Sequence, residues 1–433
     1  MEKILALAKA VAEEAEVFMV SSEETPVQFE ANRLKHIQSK QSNRVALRII
    51  KDGRTGYATT TRLDDRQELV SDAVATAQFG QAARFEFPSA TSYPQVEVFD
   101  PDVESVSLEA MNKLGEELIE AVTSHTPGIL CDAEIAKSVF NVSIINSRGG
   151  QATYRQTVFR AGIEGTLIRD TDMLFVGEGQ SSCHPLLESK SLTDVVLKQL
   201  ELAKERALAP TKMLPVVFTP DGIASALVMP LVMAFNGKTV LEGASPIGNK
   251  MGQQVFDKKL SLWDDATIDY RPASRPCDDE GIPSQRTPII DKGSVCNFFY
   301  DLQTAALAGT KSTGNGRRSQ EGLPAPGPSA FVIKAGSTTF DEMIQDMKEG
   351  LVVEQLMGAT QGNVLGGDFS GNVLLGFKVE NGRIVGRVKD TMVSGNIYQL
   401  LGQIGAIGSD IKWVGGFLNT PSIYCPQVSV ASK

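Results

Sequence analysis

One loop-like segment, GTKSTGNGRRSQ at positions 309–320, combines three glycines with a lysine and two arginines. Glycines give ligands access to backbone N–H groups and basic side chains bind anions, so the segment is a candidate phosphate loop, substrate loop or surface turn. The phosphate-loop pattern G-x-x-x-x-G-K-[ST] requires glycine where this chain has Ala305 and Thr310. The preceding residues 301–308 also predict a helix, whereas a phosphate loop follows a strand. A nucleotide site is therefore disfavoured.

Metal ligation needs several side chains that converge on one ion. The chain has three histidines, His36, His125 and His184, which lie far apart in the sequence. Cys183 and His184 are adjacent, so they point to different faces of a strand or helix. We expect no metal site within this chain.

The cysteines provide a second candidate chemistry, nucleophilic catalysis. There are five, with no CxxC pair, which is typical of reduced thiols and not of a disulfide framework. Cys277 precedes the acidic run Asp278-Asp279-Glu280, which should raise its pKa and suppress the thiolate. Cys296 lies in the apolar run SVCNFFY and is expected in the core. The acidic run could itself bind a cation or a substrate amine, or it could be solvated.

Length and charge limit the class of protein. At 433 residues, two domains are expected. The net charge of −10 disfavours direct binding to nucleic acid. No apolar run reaches the length needed to span a bilayer, and the first 20 residues predict an amphipathic helix and not a signal peptide. We expect a cytoplasmic protein.

The elements that must position these residues alternate between helices and hairpins. Strands outnumber those of a βαβ repeat and are joined by tight turns, KDGRTG (51–56), NSRGGQ (146–151) and ENGR (380–383). The pattern predicts an α+β fold with mostly antiparallel sheets and flanking helices, in which the C-terminal sheet is strongly curved or barrel-like. We predict an N-terminal domain over 1–209 and a C-terminal domain over 210–433.

Individual helix starts are predicted from capping residues. Ser107, Thr219 and Asn396 are expected N-caps, with Pro220 at the first helical position. A helix over 191–207 is expected to begin with a capping box, SLTD. Strands are expected at VFMVSS, PVQFEAN and RVALRII, and a last strand at SIYCPQVSVA.

Three long segments together resemble one family. They are RLKHIQSKQSNRVALRIIKDGRTGYATT (33–60), the run from DDEGIPSQ to KSTGNG (278–316), and the run from EGLVVEQL to VENGRI (349–384). The chain resembles the TldD/TldE family, also called PmbA or modulator of DNA gyrase, over nearly its whole length. That resemblance implies a two-domain protein that assembles into dimers.

The resemblance also implies a division of labour. TldD members are zinc peptidases acting on short or unfolded peptides, with an HExxxH helix and a C-terminal cysteine at the metal. TldE/PmbA members lack the motif and pair with TldD, in a system associated with microcin maturation and antitoxin degradation. Here the corresponding helix, IASALVMPLVMAF (223–235), offers no nitrogen or carboxylate ligand and contains Pro230. Cys425 lies near the family's cysteine position, but within a different sequence, YCPQ. The chain therefore resembles the TldE/PmbA branch, and zinc is expected only through a TldD-type partner.

The resemblance places the acidic run and the glycine-rich loop (309–320) at the rim of a groove facing the partner's metal site. The expected peptide-binding residues are Asp279, Glu280, Lys311, Ser312, Thr313 and Asn315, with Arg317 or Arg318 meeting a carboxylate. The alternative is that the glycines only shape a turn beside a dimer seam.

Three functions follow from these expectations. The favoured one is a non-catalytic, peptide-handling subunit of a TldD-type metallopeptidase, as a homodimer or as a heterodimer with a TldD-like subunit. The second is an autonomous peptidase with unconventional metal ligands or with Cys277 or Cys425 as nucleophile. The third, a protein–protein modulator of gyrase, depends on the family's name alone.

Overall fold

A computed structural model describes residues 1–62, 64–319 and 322–432 of the chain. Within these residues the helices are α1 (Glu2–Lys9), α2 (Arg66–Ala77), α3 (Pro101–Ser105), α4 (Leu108–His125), α5 (Lys190–Leu202), α6 (Pro220–Ala226), α7 (Val228–Ala234), α8 (Gly237–Leu241), α9 (Leu302–Leu307), α10 (Phe340–Gln345) and α11 (Ile397–Leu401).

Seven strands in the first half of the chain form one sheet. They are β1 (Glu14–Glu30), β2 (Arg33–Ile37), β3 (Lys40–Lys51), β4 (Arg54–Thr60), β5 (Leu130–Asn146), β6 (Gln151–Arg169) and β7 (Asp172–Ser182). Their order is β4-β3-β1-β5-β6-β7, with β2 paired to β1, and every pairing is antiparallel. Helices α1 and α2 pack near β1, β3 and β4, and α4 and α5 pack against β5 and β7.

The remaining strands are shorter. They are β8 (Arg206–Ala207), β9 (Lys212–Phe218), β10 (Leu262–Asp265), β11 (Arg286–Asp291), β12 (Ser294–Val295), β13 (Gly316–Arg318), β14 (Pro324–Pro326), β15 (Phe331–Ile333), β16 (Glu349–Met357), β17 (Asp368–Glu380), β18 (Arg383–Val388), β19 (Thr391–Asn396), β20 (Ala406–Ile407), β21 (Lys412–Val414), β22 (Leu418–Thr420) and β23 (Ile423–Ser432).

Five of these strands close into a barrel. The order β16-β9-β23-β19-β17 is completed by a pairing between β16 and β17. On β9, Val216 and Phe218 belong to one apolar cluster with α6 and α7, and Val217 belongs to another cluster with α4 and α5. Both faces of this strand are therefore buried. The predicted α+β class, the mostly antiparallel sheets and the barrel-like C-terminal sheet are confirmed.

The strand over 14–30 differs from the prediction of two separate strands. β1 runs through Pro26 without a break. On one edge, β3 pairs with β1 up to Glu24, and β2 begins its pairing at Val27. Pro26, which has no N–H to donate, lies at the gap between these two partners, where no ladder hydrogen bond is required.

The capping predictions have mixed outcomes. Ser107, Thr219 and Asn396 each accept a hydrogen bond from a backbone N–H in the first turn, as predicted. The helix predicted over 191–207 begins within one residue of its predicted start, at Lys190, but the SLTD box does not cap it and it ends at Leu202 instead of Ala207. The residues Arg206 and Ala207 instead pair with β18, because this short parallel pairing satisfies their backbone groups.

Two turns formed as the sequence indicated. Asp52 and Gly53 have φ of 50° and 69°, and Asn381 and Gly382 have φ of 47° and 75°. Positive φ at both central residues is the geometry that joins antiparallel strands tightly. The predicted division at 209/210 stays a prediction. Within the described ranges, no helix combines the length and apolarity needed to cross a membrane.

Candidate functional site

The acidic run 278–281 and the glycine-rich loop lie side by side. The Asp278 carboxylate accepts hydrogen bonds from the N–H groups of Glu280 and Ile282 at 2.9 Å, and from that of Gly316 at 2.9 Å. In return, the N–H of Asp279 donates to the Gly316 carbonyl at 2.9 Å. Asp278 therefore fixes the backbone of its own turn and attaches that turn to the loop.

Glu280 extends from this turn into the N-terminal sheet. Its carboxylate receives Nη1 of Arg48 at 2.6 Å and the N–H of Leu302, the first residue of α9, at 2.7 Å. A Cβ on Gly316 would lie 2.6 Å from Oε2 of Glu280, so only glycine leaves room for this carboxylate. The Glu280 side chain is fully buried. Burial raises the pKa of its carboxyl, and the Arg48 charge opposes that rise.

A second glutamate completes what we call the central ion network, formed by Glu16, Arg48, Asp279, Glu280 and Arg318. Arg48 reaches Oε1 of Glu16 at 3.2 Å, and the Arg318 guanidinium contacts the same oxygen. The N–H of Arg318 donates to Oδ2 of Asp279 at 2.7 Å. The network thus connects β1 and β3 to the acidic run and the glycine-rich loop.

Aromatic rings cover one member of the network. The Arg48 guanidinium carbon lies 4.8 Å from the centre of the Phe85 ring and 4.9 Å from that of Phe87. Both rings come from the segment between α2 and α3, which contains no helix or strand. Cation–π contacts of this kind are strongest where water is excluded.

The other predicted site residues occupy different environments. Ser312 donates to the Tyr300 carbonyl at 3.1 Å, and Thr313 accepts from the Tyr300 N–H at 2.8 Å. Asn315 is fully buried and donates to Asp264 at 2.8 Å. Lys311 is exposed. Gln320, the last residue of the loop as defined by sequence, lies outside the described residues.

The structure therefore brings the predicted residues to one place but engages most of them internally. Arg318 is committed to Glu16 and Asp279. Lys311 is the member with the most open surroundings. The peptide-contact roles of all these side chains stay predictions.

A second charged cluster was not anticipated from sequence. Nζ of Lys412 lies 2.6 Å from Glu178 and 2.7 Å from Asp221, so it joins β7 to α6. Glu354 lies nearby at an irregularity in the β16–β17 register. Burial, with Asp221 next, raises the pKa of Glu354 to about 7. These four residues are far apart in sequence and belong to no motif, so only the fold assembles them.

The helix that we predicted to correspond to the zinc-binding helix of TldD members is split. α6 ends at Ala226 and α7 begins at Val228. Pro230 cannot donate to the carbonyl four residues earlier, which explains the interruption. Met229 and Met233 are the exposed large side chains of α7. None of residues 223–235 supplies a nitrogen or carboxylate, so they do not fit a zinc ion.

The isolated histidines and cysteines form no alternative centre. Within the described ranges, no three His, Cys, Asp or Glu side chains are grouped to hold a metal ion. Cys183 is buried, and Nδ1 of His184 lies 2.6 Å from the Asp100 carboxylate. Cys277 and Cys425 are fully buried, and burial raises the pKa of each thiol to about 12. Both remain protonated at neutral pH. Cys296, which the sequence predicted in the core, is only half-buried and lies just after β12.

Two family models match parts of the chain. The PmbA/TldA metallopeptidase C-terminal domain matches residues 210–432, more than half of the chain, and domain 1 of the same metallopeptidases matches residues 15–77. The chain belongs to the PmbA/TldD family. Its recognition from the three sequence segments is thereby confirmed.

Individual members of the PmbA/TldD family are similar over different lengths. An uncharacterized protein of Methanocaldococcus jannaschii is 27% identical over 92% of this chain and 92% of its own. The metalloprotease PmbA of Escherichia coli is 29% identical over 55% of this chain and 50% of its own.

Solved structures share the fold of this PmbA/TldD member. TldE from Thermococcus kodakarensis has a TM-score of 0.90 with 21% identity, and each chain is covered completely. A candidate modulator of a DNA gyrase from Thermotoga maritima has a TM-score of 0.89 with 22% identity over 99% of both chains. At 21–22% sequence identity, these comparisons show a shared fold and nothing further.

Proposed function

We propose that this protein is a TldE/PmbA-like, non-catalytic subunit that handles peptides for a TldD-type metallopeptidase. One observation carries the proposal: in a metallopeptidase family, residues 223–235 of the split helix α6–α7 supply none of the nitrogen or carboxylate ligands that zinc would need. Without ligands from these residues, no water can be activated there. The catalytic zinc is then supplied by a TldD-like partner.

The arrangement of the glycine-rich loop supports a binding role. The central ion network holds the loop against the N-terminal sheet, and a rigidly held loop binds a flexible peptide at lower entropic cost. Lys311 extends from it into solvent, and Ser312 and Thr313 lie beside it. These residues are the proposed contacts to the peptide backbone. The proposed assembly is a dimer, with a second copy or with a TldD-like subunit, in the cytoplasm.

The buried cysteines make an autonomous cysteine peptidase a poorer explanation than a non-catalytic subunit. A cysteine nucleophile reacts as the thiolate, and the pKa of about 12 for both Cys277 and Cys425 keeps them as thiols. Neither side chain reaches the surface. A protein–protein role with gyrase has no residue-level support here, and a pull-down with purified gyrase decides it.

Zinc content is the first test of the proposal. The purified chain, expressed without a partner in zinc-supplemented medium and dialysed, is expected to contain well under one zinc per chain by mass spectrometry. A TldD-type protein that carries HExxxH, prepared in the same way, is the positive control. Stoichiometric zinc in this chain, removable by chelator, would overturn the non-catalytic assignment.

A further inference from the structure

Buried polar atoms without a partner are concentrated around one strand. Of eleven such side-chain atoms in the described ranges, seven lie close to β10 and the turn that follows it. They are Oγ of Ser274, Nε and Nη2 of Arg275, Oγ of Ser284, Oγ1 of Thr287, Oδ1 of Asn315 and Oγ of Ser329. Each unmade hydrogen bond in a buried site costs about 1–3 kcal/mol, so these atoms require partners from buried water or from a ligand.

Three of these residues surround Asp264 on β10. Thr287 is its direct cross-strand neighbour on β11. The N–H of Ser329 donates to one Asp264 oxygen at 2.6 Å, and Nδ2 of Asn315 donates to the other at 2.8 Å. Burial raises the pKa of Asp264 to about 6. Both oxygens of the Asp264 carboxylate thus accept hydrogen bonds from the protein. The side-chain oxygens of Thr287, Asn315 and Ser329 have no partner.

Arg275 supplies unpartnered donors beside this group. The side chain is 5% exposed, and one terminal nitrogen, Nη1, binds Asp279 at 2.9 Å. Its Nε and Nη2 have no partner in the described ranges. Ser274 precedes Arg275 in the sequence. The N–H of Ser284 donates to the carbonyl of Pro276, the residue after Arg275, at 3.0 Å. The two serines whose hydroxyls have no partner therefore lie on either side of Arg275.

A second arginine, Arg317 on β13, packs beside Asn315. A Cβ added to Gly327 would lie 3.4 Å from Cγ of Arg317, and the carbonyl of Gly327 accepts from Nδ2 of Asn315 at 2.9 Å. The Arg275 charge, followed by burial, lowers the pKa of Arg317. Asp279 is shared between Arg275 and Arg318, and Asp264 is held by Asn315 and Ser329. The carboxylates present therefore do not saturate the two guanidinium groups.

We propose that Arg275 and Arg317 form a carboxylate-binding subsite that receives the α-carboxylate at the C-terminal end of a bound peptide. The inference rests on the proposed peptide-handling function and names the chemical group that is recognised. Guanidinium groups bind planar carboxylates through paired hydrogen bonds. The nearby Asp264 and Asp279 would repel a dianion such as phosphate more strongly than a singly charged carboxylate.

Titration calorimetry with simple peptides tests the subsite on the full-length chain. The probes are tri-alanine with a free carboxylate, tri-alanine amide and inorganic phosphate. Tri-alanine is expected to bind at least about tenfold more tightly than its amide or phosphate. Arg317→Gln is expected to abolish that difference, and Arg317→Lys, which keeps the charge but not the paired donors, to reduce it several-fold. Arg286→Gln is the matched control, because Arg286 is exposed on β11 and packs on Trp263.

Three results would overturn the subsite: no binding of tri-alanine, equal binding of tri-alanine and its amide, or a preference for phosphate. Equal binding of tri-alanine and its amide would rule out the carboxylate subsite but would not contradict a peptide-handling role. The zinc measurement tests that role separately, so the two failures are distinguishable. If Arg317→Gln does not fold, judged by circular dichroism, the Arg317→Lys comparison decides.

Discussion

At the scale of single residues, the central ion network joins buried side chains of opposite charge. The Arg48 and Glu280 side chains are 3% and 0% exposed, and their charges compensate each other across the junction of two sheet systems. A buried ion pair of this kind is weak evidence for net stability, but the loss of one partner leaves an uncompensated buried charge. The network is therefore better understood as the element that fixes the glycine-rich loop in one position.

Removal of Arg48 tests this view of the network. Arg48→Met leaves Glu280 buried without its cation and leaves Glu16 with Arg318 alone, and is expected to lower the free energy of unfolding by about 3–5 kcal/mol. Urea denaturation followed by fluorescence measures the change. Lys40→Met, on the exposed end of the same strand, is expected to change it by less than about 0.5 kcal/mol. Equal effects of the two substitutions would contradict the proposed role of Arg48.

Glu354 gives a pH-dependent prediction. Its pKa is about 7 in the folded chain against an ordinary value of 4.5, so the folded state binds more protons between these values. The free energy of unfolding contributed by this group therefore falls as pH rises through that window. Lys412, Asp221, Glu178 and Lys198 are the charged groups that act on it.

The substitution Glu354→Gln removes this titration. The variant is expected to match the parent near pH 4.5 and to exceed its free energy of unfolding by about 1–3 kcal/mol near pH 8. Glu164→Gln, on the exposed face of β6, is the control and leaves the profile unchanged. A parallel pH profile for Glu354→Gln and parent, measured by denaturant unfolding, would refute the assignment.

At this scale, the sequence predicted which segments lie together but not which side chains pair. The acidic run and the glycine-rich loop were identified together from long, specific segments. The contact between Glu16 and Arg318 spans 302 positions in the chain, and no local pattern connects them. The Lys412 cluster was missed for the same reason. Side-chain pairing over such separations is decided by how strands from the two halves of the chain meet.

At the scale of elements, the split helix α6–α7 is set tightly on the barrel. An added Cβ on Gly222 would lie 2.2 Å from the carbonyl oxygen of Val353 on β16. The Thr219 N–H donates to the same carbonyl at 3.1 Å. Because neither backbone can move away cheaply, this contact fixes where the helix lies.

Gly222→Ala tests the helix–barrel contact. The substitution is expected to lower the free energy of unfolding by about 1–3 kcal/mol, because overpacking displaces either α6 or β16. At Gly362 the nearest atom to an added Cβ is 3.9 Å away, so Gly362→Ala is the control, expected to change the free energy by less than about 1 kcal/mol. Thermal and urea unfolding of both variants supply the comparison, and a neutral Gly222→Ala would contradict the packing described.

Local signals predicted helix starts and hairpin turns well. Short-range contacts between sequence neighbours determine the caps at Ser107 and Thr219 and the turn at Asn381-Gly382. A local sequence pattern is therefore enough to predict them. The end of α5 and the continuity of β1 through Pro26 depend on partners elsewhere in the fold. A curved C-terminal sheet could be predicted from the strand pattern, whereas its closure requires the long-range pairing of β16 with β17.

At the scale of the whole molecule, charge predicts behaviour towards nucleic acid. A net charge of −10 disfavours the phosphate contacts on which nucleic-acid binding depends. Fluorescence anisotropy with a labelled DNA duplex at about 0.15 M salt is expected to show no binding tighter than about 10⁻⁴ M. Micromolar binding that weakens steeply with added salt would contradict the expectation.

Reconstituted peptide cleavage tests the central claim most directly. The chain alone is expected to leave unfolded peptides intact, with or without added zinc. A mixture with an HExxxH-bearing TldD-type subunit is expected to cleave them faster than that subunit alone, and a chelator is expected to abolish the activity. Chelator-sensitive cleavage by the purified chain in the absence of any partner would contradict the account.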